Sequence, residues 1–109
     1  MSQRVPKVES VIQQVVATAI IQLLDRDAAA VTVTRVDAAP DLRNATVWIG
    51  LLGDPAEQDR LWAHIEQERG EIQDALNRKL TTKFVPRLHF KRDSGGEYAA
   101  EIERLLKKI

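Results

Sequence analysis

The 109-residue chain contains no cysteine. This excludes a disulfide framework, a thiolate zinc site and a cysteine nucleophile, and it fits a reducing compartment. No Walker loop, dinucleotide-binding glycine fingerprint or nucleophile-elbow serine is present. The only histidines, His64 and His89, lack ligand-like spacing, so no metal site and no cofactor are expected. His64 and Glu68 stand four apart on one helical face, a spacing that reads as a surface pair rather than an acid–base couple. The apolar run Val15–Leu24 is broken by Thr18 and Gln22 and is too short to span a bilayer. The first ten residues carry no apolar signal-peptide core. A cytoplasmic protein with no membrane contact is the expectation. Net charge is also absent: 16 basic residues balance 16 acidic ones.

What remains is an ordinary globular composition, 44% hydrophobic and 29% charged. The length suits one domain over residues 1–109. Over 4–25, Val8, Val11, Ile12, Val15, Ala19, Ile20 and Leu23 recur at three- and four-residue steps and predict an amphipathic helix. Val31-Thr-Val-Thr-Arg-Val-Asp37 predicts a strand. A second strand is expected over 44–52, with Ala45, Val47, Ile49 and Leu51 on one face. The short Ala39-Pro40-Asp41-Leu42-Arg43 connection makes the two an antiparallel hairpin.

Asp54-Pro55-Ala56-Glu57 carries the marks of a helix start: a capping acid, a proline in the first turn, and an acid able to reach back to the cap. Leu61, Trp62, Ile65, Ile72, Ala75, Leu76 and Leu80 extend an apolar face to about residue 80. Gly70 interrupts it and marks either a tolerated glycine or a kink between two helices. A third strand is expected over 84–92, with Pro86 at an edge or at its start. Ser94 and Glu97 open a final helix striped by Tyr98, Ile102, Leu105, Leu106 and Ile109. The order α-β-β-α-(kink)-α-β-α is an α+β domain. Trp48 and Trp62 read as core or half-buried anchors, since base stacking needs aromatics grouped on one exposed face.

The zero net charge is a sum of opposites. Between Asp54 and Asn77 there are seven acids and two bases; between Arg78 and Arg92 there are six bases, His89 and no acid. The second stretch is a candidate phosphate-contacting surface. Helix-dipole complementation by Arg78 and Lys79, and ordinary solvent-facing strand positions for Arg87 and Lys91, are the competing readings.

The run Val31-Thr-Val-Thr-Arg-Val-Asp-Ala-Ala-Pro-Asp41-Leu42-Arg-Asn-Ala45-Thr-Val47-Trp-Ile49 resembles the hairpin signature of the ribosome-binding factor A family. Val85-Pro86-Arg-Leu88-His-Phe90-Lys-Arg-Asp93 resembles that family's Pro-x-Leu-x-Phe strand, and Arg4-Val5 before a long helix resembles its beginning. The resemblance runs over nearly the whole chain in the same order. It implies a type II KH-like fold with a mixed three-stranded sheet and helices on one face. It also implies an Ala-x-Gly kink in place of the Gly-x-x-G loop of RNA-binding KH domains. The matching triplet is Glu68-Arg69-Gly70. Glu68 departs from the family's alanine and places a carboxylate where phosphate would be repelled; Arg69 offsets it.

By the same resemblance, the protein is expected to be a non-enzymatic factor. It would bind the immature small ribosomal subunit, assist 16S rRNA maturation, act most in the cold and leave before translation. Other assembly factors or a release GTPase are implied partners. The RNA-binding residues are then Arg69, Arg78, Lys79, Lys83, Arg87, Lys91 and Arg92. A monomer is expected. The alternative is a protein-interaction module that dimerises through the final helix.

Overall fold

The first helix, α1 (Arg4–Leu24), is followed by a 3-10 turn over Asp25–Ala30, and then by strands β1 (Val31–Ala38) and β2 (Asn44–Leu51). A second helix, α2 (Pro55–Lys79), leads to β3 (Arg87–Arg92). The computed structural model describes residues 4–81 and 84–93, and side chains from residue 6 onward. Lys83 and the expected helix from Ser94, with its stripe from Tyr98 to Ile109, lie outside the described residues.

The sheet order is β1-β2-β3, with β1 and β2 antiparallel and β2 and β3 parallel. The fold is therefore α+β with a mixed three-stranded sheet. The parallel pair requires a crossover, and α2 supplies it. Ala45, Val47 and Ile49 of β2, Val31, Val33 and Val36 of β1, and Leu88 of β3 form one core with α1 and α2. α1 and α2 thus cover one face of the sheet, and among the described residues no helix covers the other.

β1 does not alternate regularly. Its core residues are Val31, Val33 and Val36, and the register slips between Val33 and Arg35. This bulge inserts one extra residue, so Thr34 and Arg35 both stay exposed while Val33 and Val36 both reach the core. Regular alternation would have turned Arg35 inward with Val33.

The hairpin turn is closed by Ala39 N–H donating to the Asn44 carbonyl at 2.8 Å, and by Arg43 N–H donating to the Asp41 carboxylate at 3.0 Å. Leu42 occupies the left-handed region at φ 60°, a conformation that costs a non-glycine residue on the order of 1 kcal/mol.

The expected cap of α2 forms: Glu57 N–H donates to Asp54 Oδ1 at 2.8 Å, with Pro55 in the first turn. The Glu57 carboxylate does not return to the cap; it pairs with Arg60. α2 runs as one helix through Gly70, so the helical stretches expected on either side of Glu68-Arg69-Gly70 form a single element. The reason lies in the stripe. Leu61, Ile65, Ile72 and Leu76 are all fully buried and keep one line on both sides of residue 70. Gly70 sits on the exposed side, where its cost of about 1 kcal/mol does not outweigh that packing.

α1 buries Ile12, Val16, Ala19, Ile20 and Leu24, a stripe turned by about one position from the expected one. Val11 is instead 36% exposed. The helix is apolar around most of its girth, so spacing alone does not choose the buried side. Its hydropathy over Pro6–Ala30 also reaches what a membrane span requires by length and composition. Here that apolarity is used in packing against β1 and α2. β3 begins at Arg87, later than expected, with Pro86 buried just before its start.

Candidate nucleic-acid interface

β3 alternates between two environments. Leu88 is buried, Phe90 packs against the core, and Arg92 points the same way, toward α2. Arg87, His89 and Lys91 are exposed on the opposite, open face. Parallel pairing sets Arg87 beside Asn44, His89 beside Thr46 and Lys91 beside Trp48. His89 Nε2 lies 2.8 Å from Asn44 Oδ1.

The predicted cations therefore do not form one patch. Arg87 and Lys91 share the open sheet face. Arg92 is spent on α2: it bonds Asp59 at 2.9 Å and lies over Trp62, 5.9 Å from the ring centre. Arg78 and Lys79 end α2 and line a groove with Val11, Val15, Thr18 and Gln22 of α1, on the helical side of the molecule. Arg69 pairs loosely with Glu66 at 3.6 Å. It lines a second groove together with Gly70, Gln73, Arg87 and Phe90, where α2 meets the edge of β3. Arg69 and Arg87 thus line one groove, with Glu66 also on its wall, and a methyl added at Gly70 would meet nothing within 4 Å. Among the described residues no acidic side chain pairs with Arg87 or Lys91.

Three residues at this face carry roles that charge counting did not reveal. Trp48 stands on the open face of the central strand, with Arg35 at 5.2 Å and Lys91 at 5.6 Å from its ring centre. Its indole N–H donates to Asp37 at 3.2 Å, and Asp37 also pairs with Arg35 at 2.9 Å. Arg35 reaches the ring because of the β1 bulge. The spacing of valines 31, 33 and 36 records that phase change in the sequence.

Gln73 closes the outer edge of β3. Its carbonyl oxygen accepts from Leu88 N–H at 2.8 Å, and its amide donates to the Pro86 carbonyl at 3.1 Å. β1 has matching guards on α1: Glu9 accepts from Ala38 N–H at 2.7 Å, and Gln13 donates to the Val33 carbonyl at 3.3 Å. Among the described residues, both edges of the sheet are blunted by side chains rather than by further strands.

The strongest charge cluster lies elsewhere. Asp27, in the 3-10 turn, receives a two-pronged bond from Arg60 at 3.0 and 2.9 Å and lies 2.7 Å from His64 Nδ1. The Arg60 guanidinium, seconded by His64, holds the Asp27 carboxyl at about 2, below its ordinary 3.8. Arg60 likewise lowers Glu57. His64 is thus tied to Asp27, not to Glu68, and the cluster fastens the turn to α2.

The described residues contain no group of three or more His, Cys, Asp or Glu able to hold a metal ion. What the open face and its edge groove offer is cations, hydroxyls, amides and one indole, beside the carboxylates of Asp37, Glu66 and Asp93, a set able to meet an anionic polymer.

Comparison with known proteins gives these features a setting. A family model described as ribosome-binding factor A matches residues 4–106. A ribosome-binding factor A from Opitutus terrae is 29% identical over 109 residues, spanning 100% of this chain and 89% of the relative. The solution NMR structure of a Thermotoga maritima protein, assigned to the same factor, superposes with a TM-score of 0.74 at 28% identity. That match covers 89% of this chain and 93% of the other. A Thermus thermophilus ribosome binding factor A homology model, fitted into the cryo-EM map of a 30S complex, shares the fold. Its TM-score is 0.62 at 24% identity, over 78% of this chain and 90% of that one.

Proposed function

The chain belongs to the ribosome-binding factor A family, and on that premise we propose that it is a non-catalytic assembly factor of the cytoplasm. It binds the immature small ribosomal subunit and assists maturation of the 16S rRNA. The observation that carries this reading is the unpaired positive charge of β3: Arg87 and Lys91 project from the open face without an acidic partner among the described residues. Arg69, across the edge groove from Arg87, extends the same strip. The relative placed in a 30S complex shares this fold, which supports the choice of partner. RNA recognised in this way is read through its backbone and shape. Contact by Arg78, Lys79, Lys83 and Arg92, and by the turn of helix at Glu68-Arg69-Gly70, belongs to the same proposal.

The test is sedimentation of the tagged protein with small subunits at low and high salt. The protein is expected to co-migrate with free small subunits, to be absent from translating ribosomes, and to dissociate as salt rises. Arg87→Glu with Lys91→Glu should weaken co-migration while leaving the melting curve in place, because both side chains are exposed. Unchanged co-migration of that double variant would refute the surface assignment.

A further inference from the structure

The open sheet face holds more than cations. Trp48 projects from its central strand, held at one edge by Asp37 and flanked by Arg35 from β1 and Lys91 from β3. We propose that Trp48 is a stacking platform for an unpaired base, so that a single-stranded RNA segment lies along the open face of the sheet. This inference rests on the RNA-binding reading above and deepens it: it names the form of the RNA and the residue that grips it.

Four observations carry it. First, the face is uncovered by any helix among the described residues, and Thr32, Thr34, Arg35, Arg87, His89 and Lys91 are all exposed there. Second, the two flanks of the indole are unequal. Arg35 is fixed to Asp37 by an ion pair, whereas the Lys91 ammonium lies 5.6 Å from the ring centre and has no acidic partner among the described residues. Such an exposed lysine–ring contact is weak and a lysine stem is flexible. A base therefore enters on the Lys91 side, and the ammonium it displaces moves to the adjoining phosphate. Third, the charge is placed for that exchange: Arg87 and Lys91 lie four residues apart on β3, about 13 Å along the strand, both without acidic partners among the described residues. The acids of this face are already engaged, Asp37 with Arg35 and Trp48, and Asp93 with Thr34 Oγ1 at 2.8 Å. Fourth, the β1 bulge exists at the position opposite Trp48, and without it Arg35 would not reach the ring.

A partly exposed indole bordered by cations can stack a single unstacked base, which duplex RNA does not offer. The face thus commits to single strands.

The experiment uses the full chain with Trp62→Phe, which leaves Trp48 as the sole tryptophan. Its emission is followed while a single-stranded oligouridylate of about ten nucleotides is added. Saturable quenching is expected, with no equal effect from a duplex of the same length. Trp48→Ala in the natural background should weaken oligonucleotide binding by roughly 5- to 150-fold, and Trp48→Phe by less. The emission titration needs no variant at residue 48, so misfolding of Trp48→Ala would not blunt the test. Unchanged emission alongside bound oligonucleotide or co-sedimenting small subunits overturns the platform and leaves the assembly-factor reading intact. Loss of both overturns both. Equal quenching by duplex also overturns it, as does an emission change that follows protein concentration without RNA, which would assign the face to a second copy.

Discussion

Two glycines of this chain should respond to alanine with opposite signs, and the difference can be worked from their surroundings. Gly70 lies within α2, on its exposed side, and an added Cβ meets nothing within 4 Å. Gly70→Ala then gains the ordinary helix-interior difference of about 1 kcal/mol. For a domain of this size that raises the midpoint of thermal unfolding by about 4 °C. Gly53, just before α2, has φ +110°, and a Cβ there would stand 2.8 Å from Glu57 Cγ and 3.0 Å from Glu57 Cβ. Glu57 cannot yield freely, because its carboxylate is paired with Arg60 and its N–H is the one that caps on Asp54. Gly53→Ala should cost about 1–3 kcal/mol and lower the midpoint by roughly 4–12 °C. Thermal melts followed by far-ultraviolet circular dichroism read both. Small-subunit co-sedimentation of Gly70→Ala should fall even as its stability rises, since the methyl enters the groove between Arg69 and Arg87. If Gly70→Ala lowers the midpoint instead, the helix at residue 70 departs from regular geometry and the assignment of that glycine to an open groove is wrong.

Gln73→Met keeps the size of the side chain but removes both bonds to the β3 edge. It should cost about 2 kcal/mol and speed hydrogen exchange at the Leu88 amide more than at residues facing β2; uniform acceleration would count against a specific edge role. Asp27 titrates at about 2 in the folded chain against an ordinary 3.8, so its contribution is fully present above about pH 4 and is lost as pH falls toward 2. Asp27→Asn should lower the melting midpoint at neutral pH and flatten its decline between about pH 4 and 2; a parallel decline in both proteins would exclude the Arg60 pairing as its source.

The hairpin and the start of α2 could be read from the chain because their signals are local. Ala45, Val47, Ile49 and Leu51 alternate, Pro40-Asp41 marks the turn, and Asp54-Pro55 marks the helix start within a few residues. What escaped depends on partners far along the chain. Gln73 is an unremarkable polar residue until β3 arrives fifteen positions later with a bare Leu88 N–H. Arg92 reads as one more cation of a basic stretch, yet period-two alternation puts it opposite Arg87 and Lys91, where Asp59 claims it. Trp48 is half-buried, as the anchor reading expects; what the sequence does not show is that the cross-strand register gathers cations around it. The bulge at Thr34 and Arg35 did leave a trace, since valines at 31, 33 and 36 cannot share one face of a regular strand. The side of α1 that packs is decided by β1 and α2, because the helix's own residues are apolar on nearly every side.

The placement of charge also sets an expectation for how strongly salt acts on the proposed RNA binding. If Arg69, Arg78, Lys79, Lys83, Arg87, Lys91 and Arg92 all met phosphates together, the logarithm of affinity would fall with that of salt at a slope near −5, about 0.7 for each of the seven. From 50 to 200 mM that is a loss approaching a thousandfold. The six of them that are described do not share one face. Arg78 and Lys79 belong to the helical side, Arg92 is neutralised by Asp59, and Arg87 and Lys91 occupy the open face with Arg69 at its edge. Two or three contacts give a slope of about −1.4 to −2 and a loss of only about 7- to 20-fold over the same range. Measuring oligonucleotide affinity across that range separates the two cases, and a slope near −5 would show that charges on both sides of the molecule engage RNA at once. A shallow slope implies that stacking and shape must supply the rest of the affinity. On the proposed reading, two or three phosphate contacts would hold RNA weakly enough to be released, and stacking on Trp48 would then select which RNA is held.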